Sequence, residues 1–417
     1  MPIIKKELEL LPIGEIFKKE LVIPEYQRPY KWKEETILKL LNDIKNNKNK
    51  NEYRIGTLIL HKTIESEKEI YNIVDGQQRL VSISIILNIL EKLNDKKESV
   101  ENSVLDSYFN DISKNNIIRN YKYIKSYVPK DTDLLKFILN NCKMVIIVVN
   151  KLEEAFQLFD SQNSRGKPLE AFDLLKAYHL NEVSSYITNL TKKQIVNKWE
   201  KLINNNRLGE LFNTLYRIKK WTVRDYANDN FYKNEINLFK GINKNKNYPY
   251  INSSIVNNYY DINNPIINGE YFFYMLEYYN DLYDTVEGRL KNASYINYPN
   301  SNRKGDILVK SLYKAALIAF INKFGIDSLN DNLNIKIYSY AYRIRLEKYA
   351  VSNHIINNSI NNYFYYIYNF CYEPNDILKL GIMNQKVNIT NERRKIGKII
   401  YYIKNTLPIF YNNEEIK

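Results

Sequence analysis

The sequence predicts an α+β protein with a mixed N-terminal domain and a mostly helical C-terminal domain. Short β-branched runs alternate with amphipathic stretches in the first part of the chain, which is typical of strands packed with helices. Further along, apolar residues recur with helical spacing, as at Leu308, Leu312 and Ala316. We therefore assign residues 1–188 to the first domain and residues 189–417 to the second.

In the first domain, the predicted elements begin with a short helix from Leu11 to Lys19. Leu21 to Pro24 is extended, because a proline disfavours helix at the residue before it. Glu34 to Lys45 carries its apolar residues on one stripe of a helix. Tyr53 to His61 and Glu69 to Val74 are predicted strands.

The later elements of this domain are more apolar. Leu80 to Leu93 is apolar on most sides and predicts a buried helix, and the β-branched run from Met144 to Val149 predicts a core strand. Glu153 to Phe159 and Ala171 to Val183 have helical patterns. Gly56, inside a predicted strand, indicates a β-bulge or a close backbone approach.

Composition and charge limit the class of protein. Of the 417 residues, 44% are hydrophobic and 26% charged, which excludes a disordered or collagen-like chain. There is no signal-peptide pattern and no run of ~18 apolar residues, so we expect a cytoplasmic protein without a membrane span. The net charge of +14 favours a polyanionic partner, with nucleic acid first, although a compositional bias toward Lys, Asn, Ile and Tyr could also produce it.

A first candidate segment, IPEYQRPYKW, runs from Ile23 to Trp32. It places Gln27 and Arg28 between Tyr26 and Tyr30, and cations beside aromatic faces suit a base or nucleotide through stacking and phosphate pairing. The alternative is a proline-bracketed loop whose aromatic residues cover a core.

The second candidate segment is the strongest, because polar residues interrupt two apolar elements. A strand ends at Asp75, Gly76 turns the chain, and a helix begins near Gln77. The N-terminus of a helix attracts anions. Arg79, in the first turn, could therefore bind a phosphate group that lies there, and Gln77 and Gln78 could form hydrogen bonds to a nucleotide. Asp75 could bind Mg²⁺ or orient a water molecule. The alternative is that Asp75 only caps the helix while Arg79 pairs with a surface carboxylate.

A third candidate segment lies between two predicted helices. Asn163, Arg165, Gly166 and Lys167 form a glycine-containing loop that Pro168 ends. Two cations in such a loop could make another anion contact. The alternative is a solvated tip of a helix–loop–helix.

Together with the strand segment IGTLIL, the motifs IPEYQRPYKW, VDGQQRL and FDSQNSRGKPLEAFDLLKA occur in an order that resembles a known family. It is the domain of unknown function 262, the GmrS-like half of GmrSD-type modification-dependent restriction systems. The resemblance covers roughly residues 10–185, with a looser similarity behind it.

The resemblance implies a ParB/sulfiredoxin-like fold and Mg²⁺-dependent nucleoside triphosphate binding, usually with hydrolysis, in anti-phage defence. It also implies a nucleotide site with three parts. The central part is Asp75, Gly76, Gln77, Gln78 and Arg79, and a second wall is Gln27 and Arg28. A third contact is Asn163 and Gly166 with Arg165 and Lys167. Our own assignments are Arg79 to phosphate and Asp75 to metal or water, the alternative being that Asp75 only holds Arg79.

Many members of this family carry an HNH nuclease domain, which needs a general-base histidine near further metal ligands. The chain has three histidines, and His354, in the second domain, has no second histidine nearby. We therefore expect no HNH nuclease here, so that a separate subunit cuts DNA or the effect is not cleavage.

Three hypotheses follow. The chain could be a nucleoside triphosphatase that senses foreign or modified DNA and regulates a partner nuclease. It could be a ParB-like nuclease that cuts DNA itself. It could be a non-catalytic DNA-binding scaffold, with basic clusters at Asn302 to Lys304 and in TNERRK, from Thr390 to Lys395, as DNA contacts or simply as solvated surface. A homo-oligomer is compatible with each.

Overall fold

The structure is a computed structural model. It describes residues 7–65, 67–94, 104–107, 109–152, 154–156, 158, 170–183, 189–242, 260–293, 295–297, 301–348, 350–360 and 363–381. A mixed sheet with helices precedes a mostly helical region, which confirms the predicted α+β class. Within these ranges no helix is long and apolar enough to cross a membrane.

The described residues form two compact units. Residues up to 158 together with 189–197 make the first, and residues 170–183 together with 198–381 make the second. The assignment of domains to residues 1–188 and 189–417 stays a prediction.

The first unit is built on a five-stranded mixed sheet with the strand order β1-β5-β3-β4-β2. Its strands are β1 (Glu7–Pro12), β2 (Leu21–Val22), β3 (Tyr53–Glu65), β4 (Lys68–Asp75) and β5 (Cys142–Val149). β3 and β4 are antiparallel neighbours, as are β1 and β5, whereas β3 runs parallel to β5 and β2 to β4. The end of β4 at Asp75 therefore lies beside Ile59, in the middle of β3, and the following helix begins there.

Five helices that the structure describes from end to end accompany this sheet. They are α1 (Ile13–Phe17), α2 (Glu34–Asn46), α3 (Gln77–Leu93), α4 (Asp111–Lys125) and α5 (Thr132–Asn140). α3 buries eleven residues on several sides, as the apolar segment predicts, and it contributes to the same core as Leu58 and Leu60 of β3. A smaller apolar cluster joins Ile59, Val74 and Ala155.

The predicted helix from Leu11 to Lys19 is partly wrong. Leu11 and Pro12 end β1 and pair with Met144 and Lys143 of β5, so the helix is limited to Ile13–Phe17. Pairing with a distant strand satisfies the backbone polar groups that a local helix would otherwise use.

The second unit is mostly helical in its described residues. Its helices are α6 (Ala171–Asn181), the second half of α7 (Asn189–Asn204), α8 (Arg207–Thr222), α9 (Glu270–Lys291), α10 (Lys304–Phe324), α11 (Asp331–Glu347), α12 (Asn353–Ser359) and α13 (Tyr363–Asn369). α10 is the most buried, with its apolar residues from Val309 to Ile321 inside the core.

Candidate functional site

The strand–turn–helix segment forms as the sequence predicts. β4 ends at Asp75, Gly76 adopts the left-handed conformation with φ = +92°, and α3 begins at Gln77. A Cβ at Gly76 would lie 2.9 Å from Leu58 Cδ1 and 3.0 Å from the carbonyl oxygen of Thr57, so glycine allows the turn to lie directly on β3. Gly76 occupies the N-cap position of α3 without a side-chain cap, and the predicted alternative of an Asp75 cap is not what the structure has.

Arg79 lies against a second glycine, Gly56 of β3. A Cβ at Gly56 would be 2.9 Å from Cζ of Arg79 and closer still to Nη1. The pairing of β3 with β5 shifts register between Arg54 and Gly56, which confirms both the predicted bulge and the predicted close approach. The absence of a side chain at Gly56 therefore provides the space that the Arg79 guanidinium occupies.

The Arg79 guanidinium makes no hydrogen bond and no ion pair to any residue that the structure describes. The same holds, over those residues, for Arg28 in the preceding loop. Both guanidiniums nevertheless act on the half-buried Asp75. Burial raises the pKa of this carboxyl group, while the Gly76 backbone N–H, Arg79 and Arg28 lower it in part. The predicted pairing of Arg79 with a surface carboxylate is thus not seen in the described chain.

Gln78 has a different environment from its neighbours. Its Oε1 accepts hydrogen bonds from the backbone N–H groups of Lys31 (2.8 Å) and Trp32 (3.3 Å). Its Nε2 donates to the carbonyl oxygen of Pro29 (3.1 Å). The amide of Gln78 therefore holds the loop that carries Arg28 against the start of α3.

The two tyrosines of this loop differ in burial. Tyr30 is fully buried, and its hydroxyl group contacts Ser82 Oγ at 2.8 Å and accepts from Asn120 Nδ2 at 3.0 Å. The expectation that it stacks on a base is therefore wrong, and the alternative of an aromatic residue that covers a core is correct for it. Tyr26 is half-buried and packs edge-to-face on Phe156 with 5.8 Å between ring centroids, and burial raises the pKa of its phenol. For Tyr26 the expectation stays a prediction.

A small cleft with a cavity volume of about 30 Å³ opens beside this segment within the first unit. Three predicted site residues line it together: Gln27, Arg28 and Gln77. Gln27 is anchored by a hydrogen bond from Nε2 to the carbonyl oxygen of Val74 (2.8 Å). Gln77 is only 5% exposed, and its amide has no hydrogen bond within the described ranges. The Gln77 amide can therefore bond to water or to a ligand in the cleft.

Four further residues of the cleft lie in the first candidate segment: Ile23, Pro24, Glu25 and Pro29. The remaining residues were not predicted, and they are Phe109, Asn110, Ser113, Lys193 and Val196. Asn110 caps α4 by accepting from the Ser113 backbone N–H at 2.9 Å, and this N-cap pattern could have been found in the sequence. Lys193 and Val196 lie on α7, far along the chain, and no local pattern distinguishes them from neighbouring helical residues.

The predicted third contact, Asn163, Arg165, Gly166 and Lys167, lies outside the described residues, as does TNERRK. Over the part that is described, no group of three or more His, Cys, Asp or Glu side chains could hold a metal ion. Asp75 is thus a single carboxylate with two cations nearby. It suits a Mg²⁺ ion that brings its other oxygen ligands on a bound phosphate, and it does not suit an all-protein metal site.

Comparison with known families assigns both halves of the sequence. Residues 13–180 match the family described as GmrSD restriction endonuclease, N-terminal domain. Residues 191–397 match a family of unknown function, DUF7834. No curated protein matches the chain.

The first match includes the loop with Arg28, the bulge at Gly56 and the turn at Gly76, and it confirms the resemblance that the ordered motifs carry. It identifies a component of a restriction system. Residues 13–180 are thus similar to the N-terminal domain of GmrSD restriction endonucleases.

Proposed function

We propose that the chain is a subunit of an anti-phage restriction system that binds and hydrolyses a nucleoside triphosphate and so regulates DNA cleavage by a partner. The observation that carries this proposal is the placement of Arg28 and Arg79 near Asp75 without any bonded partner in the described chain. One carboxylate at Asp75 balances only one of the two positive charges. A triphosphate would supply further negative charge, and Arg is well suited to bind it through two parallel hydrogen bonds.

The surrounding residues support the same reaction class. Phosphoryl transfer needs mainly positioning and neutralisation of charge, which Arg28, Arg79 and the N-terminus of α3 provide. We assign Arg79 to a phosphate oxygen, Gln77 to a ligand hydrogen bond and Gln27 to support of the β4 end. The hydrogen bonds of Gln78 support a role in holding the loop, and its catalytic role stays a prediction.

We propose Mg²⁺ as the cofactor, bound as a complex with the nucleotide. When bound, the ion would neutralise phosphate charge, and Asp75 would be its protein ligand or would orient a water molecule. The alternative role of Asp75 is to hold Arg79 in place. A nucleotide-binding titration with and without Mg²⁺ distinguishes these roles. If Asp75 is a metal ligand, Asp75→Asn should lose only the part of the affinity that depends on Mg²⁺.

The direct test is phosphate release from ATP, GTP, CTP and UTP with Mg²⁺. We expect Arg79→Ala to lower turnover by about 100-fold or more, because it removes a charge-stabilising donor. Arg79→Lys should recover little, since an ammonium cannot make the paired contact. Arg54→Ala is the matched control, because Arg54 is an exposed arginine on β3, and it should stay within about twofold of wild type.

The proposal fails if folded wild-type protein neither binds nor hydrolyses any of these nucleotides, alone or with duplex DNA added. Equal turnover by wild type and folded Arg79→Ala would remove Arg79 from the mechanism. Circular dichroism and thermal unfolding of each variant identify a loss that comes from misfolding.

Binding to DNA is a second proposed property, which the net charge of +14 favours. If phosphate contacts drive it, the affinity for duplex DNA must fall steeply with salt. A ParB-like nuclease has less support, because the described residues include no carboxylate cluster for two metal ions. Plasmid nicking that Asp75→Ala abolishes would revive that hypothesis.

A further inference from the structure

The far wall of the cleft is formed by α7, which lies beyond the residues that match the restriction-endonuclease domain. Lys193 and Val196 line the cleft from positions three residues apart, so they share one face of the helix. Both belong to the same compact unit as Arg28 and Gln77. The cleft is therefore incomplete in residues 13–180 alone.

The chemistry of the cleft is that of an anion site with an apolar floor. Ile23, Pro24 and Val196 are apolar, and such surroundings strengthen interactions between charges. The charged side chains of the lining are Arg28 and Lys193 against one carboxylate, Glu25. The balance favours a negatively charged ligand.

Several polar groups of the lining are already engaged. Asn110 Oδ1 accepts from the Ser113 backbone N–H, and Ser113 Oγ accepts from the Tyr30 backbone N–H at 2.9 Å. By contrast, the Gln77 side chain lines the cleft and makes no hydrogen bond to any residue the structure describes. Its amide is therefore available to a ligand.

We propose that Lys193 is a further nucleotide-binding residue, which contacts a phosphate group of the nucleotide held by Arg28 and Gln77. The inference rests on the proposed function and adds a residue from outside the matched domain. As a compact cation on a flexible stem, Lys193 would contribute charge without a fixed paired geometry.

The experiment is a calorimetric titration of the full chain with ATP and GTP in the presence of Mg²⁺. Lys193→Met keeps the length and packing of the side chain and removes its charge, so we expect about a tenfold or greater rise in Kd. Lys193→Arg should keep most of the affinity. Lys192→Met is the matched control, since Lys192 is the adjacent half-buried lysine and does not line the cleft, and its Kd should stay within about twofold of wild type.

The outcomes separate the two proposals. If wild type binds nucleotide and Lys193→Met binds as tightly as Lys192→Met, the role of Lys193 is refuted while the proposed function stands. If wild type binds no nucleotide, the proposed function itself fails. If Lys193→Met is destabilised, the Kd values of Lys193→Gln and Lys193→Arg are compared instead. A contact that depends on charge requires the arginine variant to bind nucleotide more tightly.

Discussion

Buried charges are arranged differently in the two compact units. In the second unit, Lys176 Nζ bonds to Glu200 Oε1 at 2.8 Å with side chains 2% and 5% exposed, and Arg345 Nε bonds to Asp306 Oδ1 at 2.9 Å. In the first unit, Arg28 and Arg79 face Asp75 without such bonds. Lys176 and Arg345 thus have internal partners, whereas Arg28 and Arg79 have none among the described residues.

Mutation of these charges should therefore affect stability in the second unit and ligand binding in the first. A buried pair whose members bond to each other needs nothing else, and removal of one member leaves an uncompensated charge. A cation near the surface that lacks a bonded partner contributes little to folding, and its removal should mainly affect binding. The contrast can be tested by the free energy of unfolding, reported for the first unit by Trp32 and for the second by Trp199 and Trp221.

The largest expected effect is in the second unit. Glu200→Gln leaves the Lys176 ammonium buried without its carboxylate, and we expect a loss of about 3–5 kcal/mol in a denaturant titration. Exchange of both residues, Lys176→Met with Glu200→Leu, should recover most of that loss. A Glu200→Gln protein as stable as wild type would show that the pair is not buried in solution and would remove the contrast.

A second effect depends on pH. His179 is fully buried, stacks on Phe272 at 3.6 Å, and has a pKa that burial lowers to about 3. The unfolded chain therefore binds the proton first, and stability is lost as the pH falls from 6.5 toward 3. We expect wild type to lose roughly 3 kcal/mol more than His179→Gln between pH 7 and pH 4, measured by denaturant titration at each pH. Parallel pH profiles would contradict this.

A smaller effect is expected for the loop anchor in the first unit. Gln78→Ala removes three hydrogen bonds to the backbone of residues 29–32, and we expect a loss of about 1–2 kcal/mol together with weaker nucleotide binding. Gln78→Glu keeps an oxygen that accepts from the Lys31 backbone N–H, so its stability should lie between those of wild type and Gln78→Ala. Unchanged Trp32 fluorescence and stability in Gln78→Ala would show that the loop holds its position without this amide.

The smallest expected effect on stability concerns Asp75. Burial raises the pKa of its carboxyl group above 3.8, so the folded state carries a penalty once the group ionises, and stability falls as the pH rises through that pKa. Asp75→Asn should therefore be slightly more stable than wild type at pH 7, with a difference that vanishes below pH 3.8. This pH dependence of stability is opposite in sign to the one expected for His179, where stability is lost as the pH falls. A variant that is less stable at pH 7 would mean that Asp75 stabilises the fold through Arg79.

Local patterns in the sequence were sufficient to predict the secondary structure nearest the site. A strand that ends at Asp75, a glycine turn and a buried helix from Gln77 all depend on neighbours within a few residues, and the structure confirms them. β1 was missed and α4 and α5 were not predicted. The pairing that defines β1 is with β5, more than a hundred positions away, and distant contacts override local propensity.

The sequence by itself determined the α+β class, the family and the polar residues of the turn, because these depend on local periodicity and on the order of short motifs. Only the tertiary structure decided what each polar residue does. Gln78 is directed to the loop while Gln77, its neighbour in the chain, lines the cleft, because successive residues of a helix point in different directions. Lys193 comes to the same cleft through the packing of α7, which no local pattern of residues encodes.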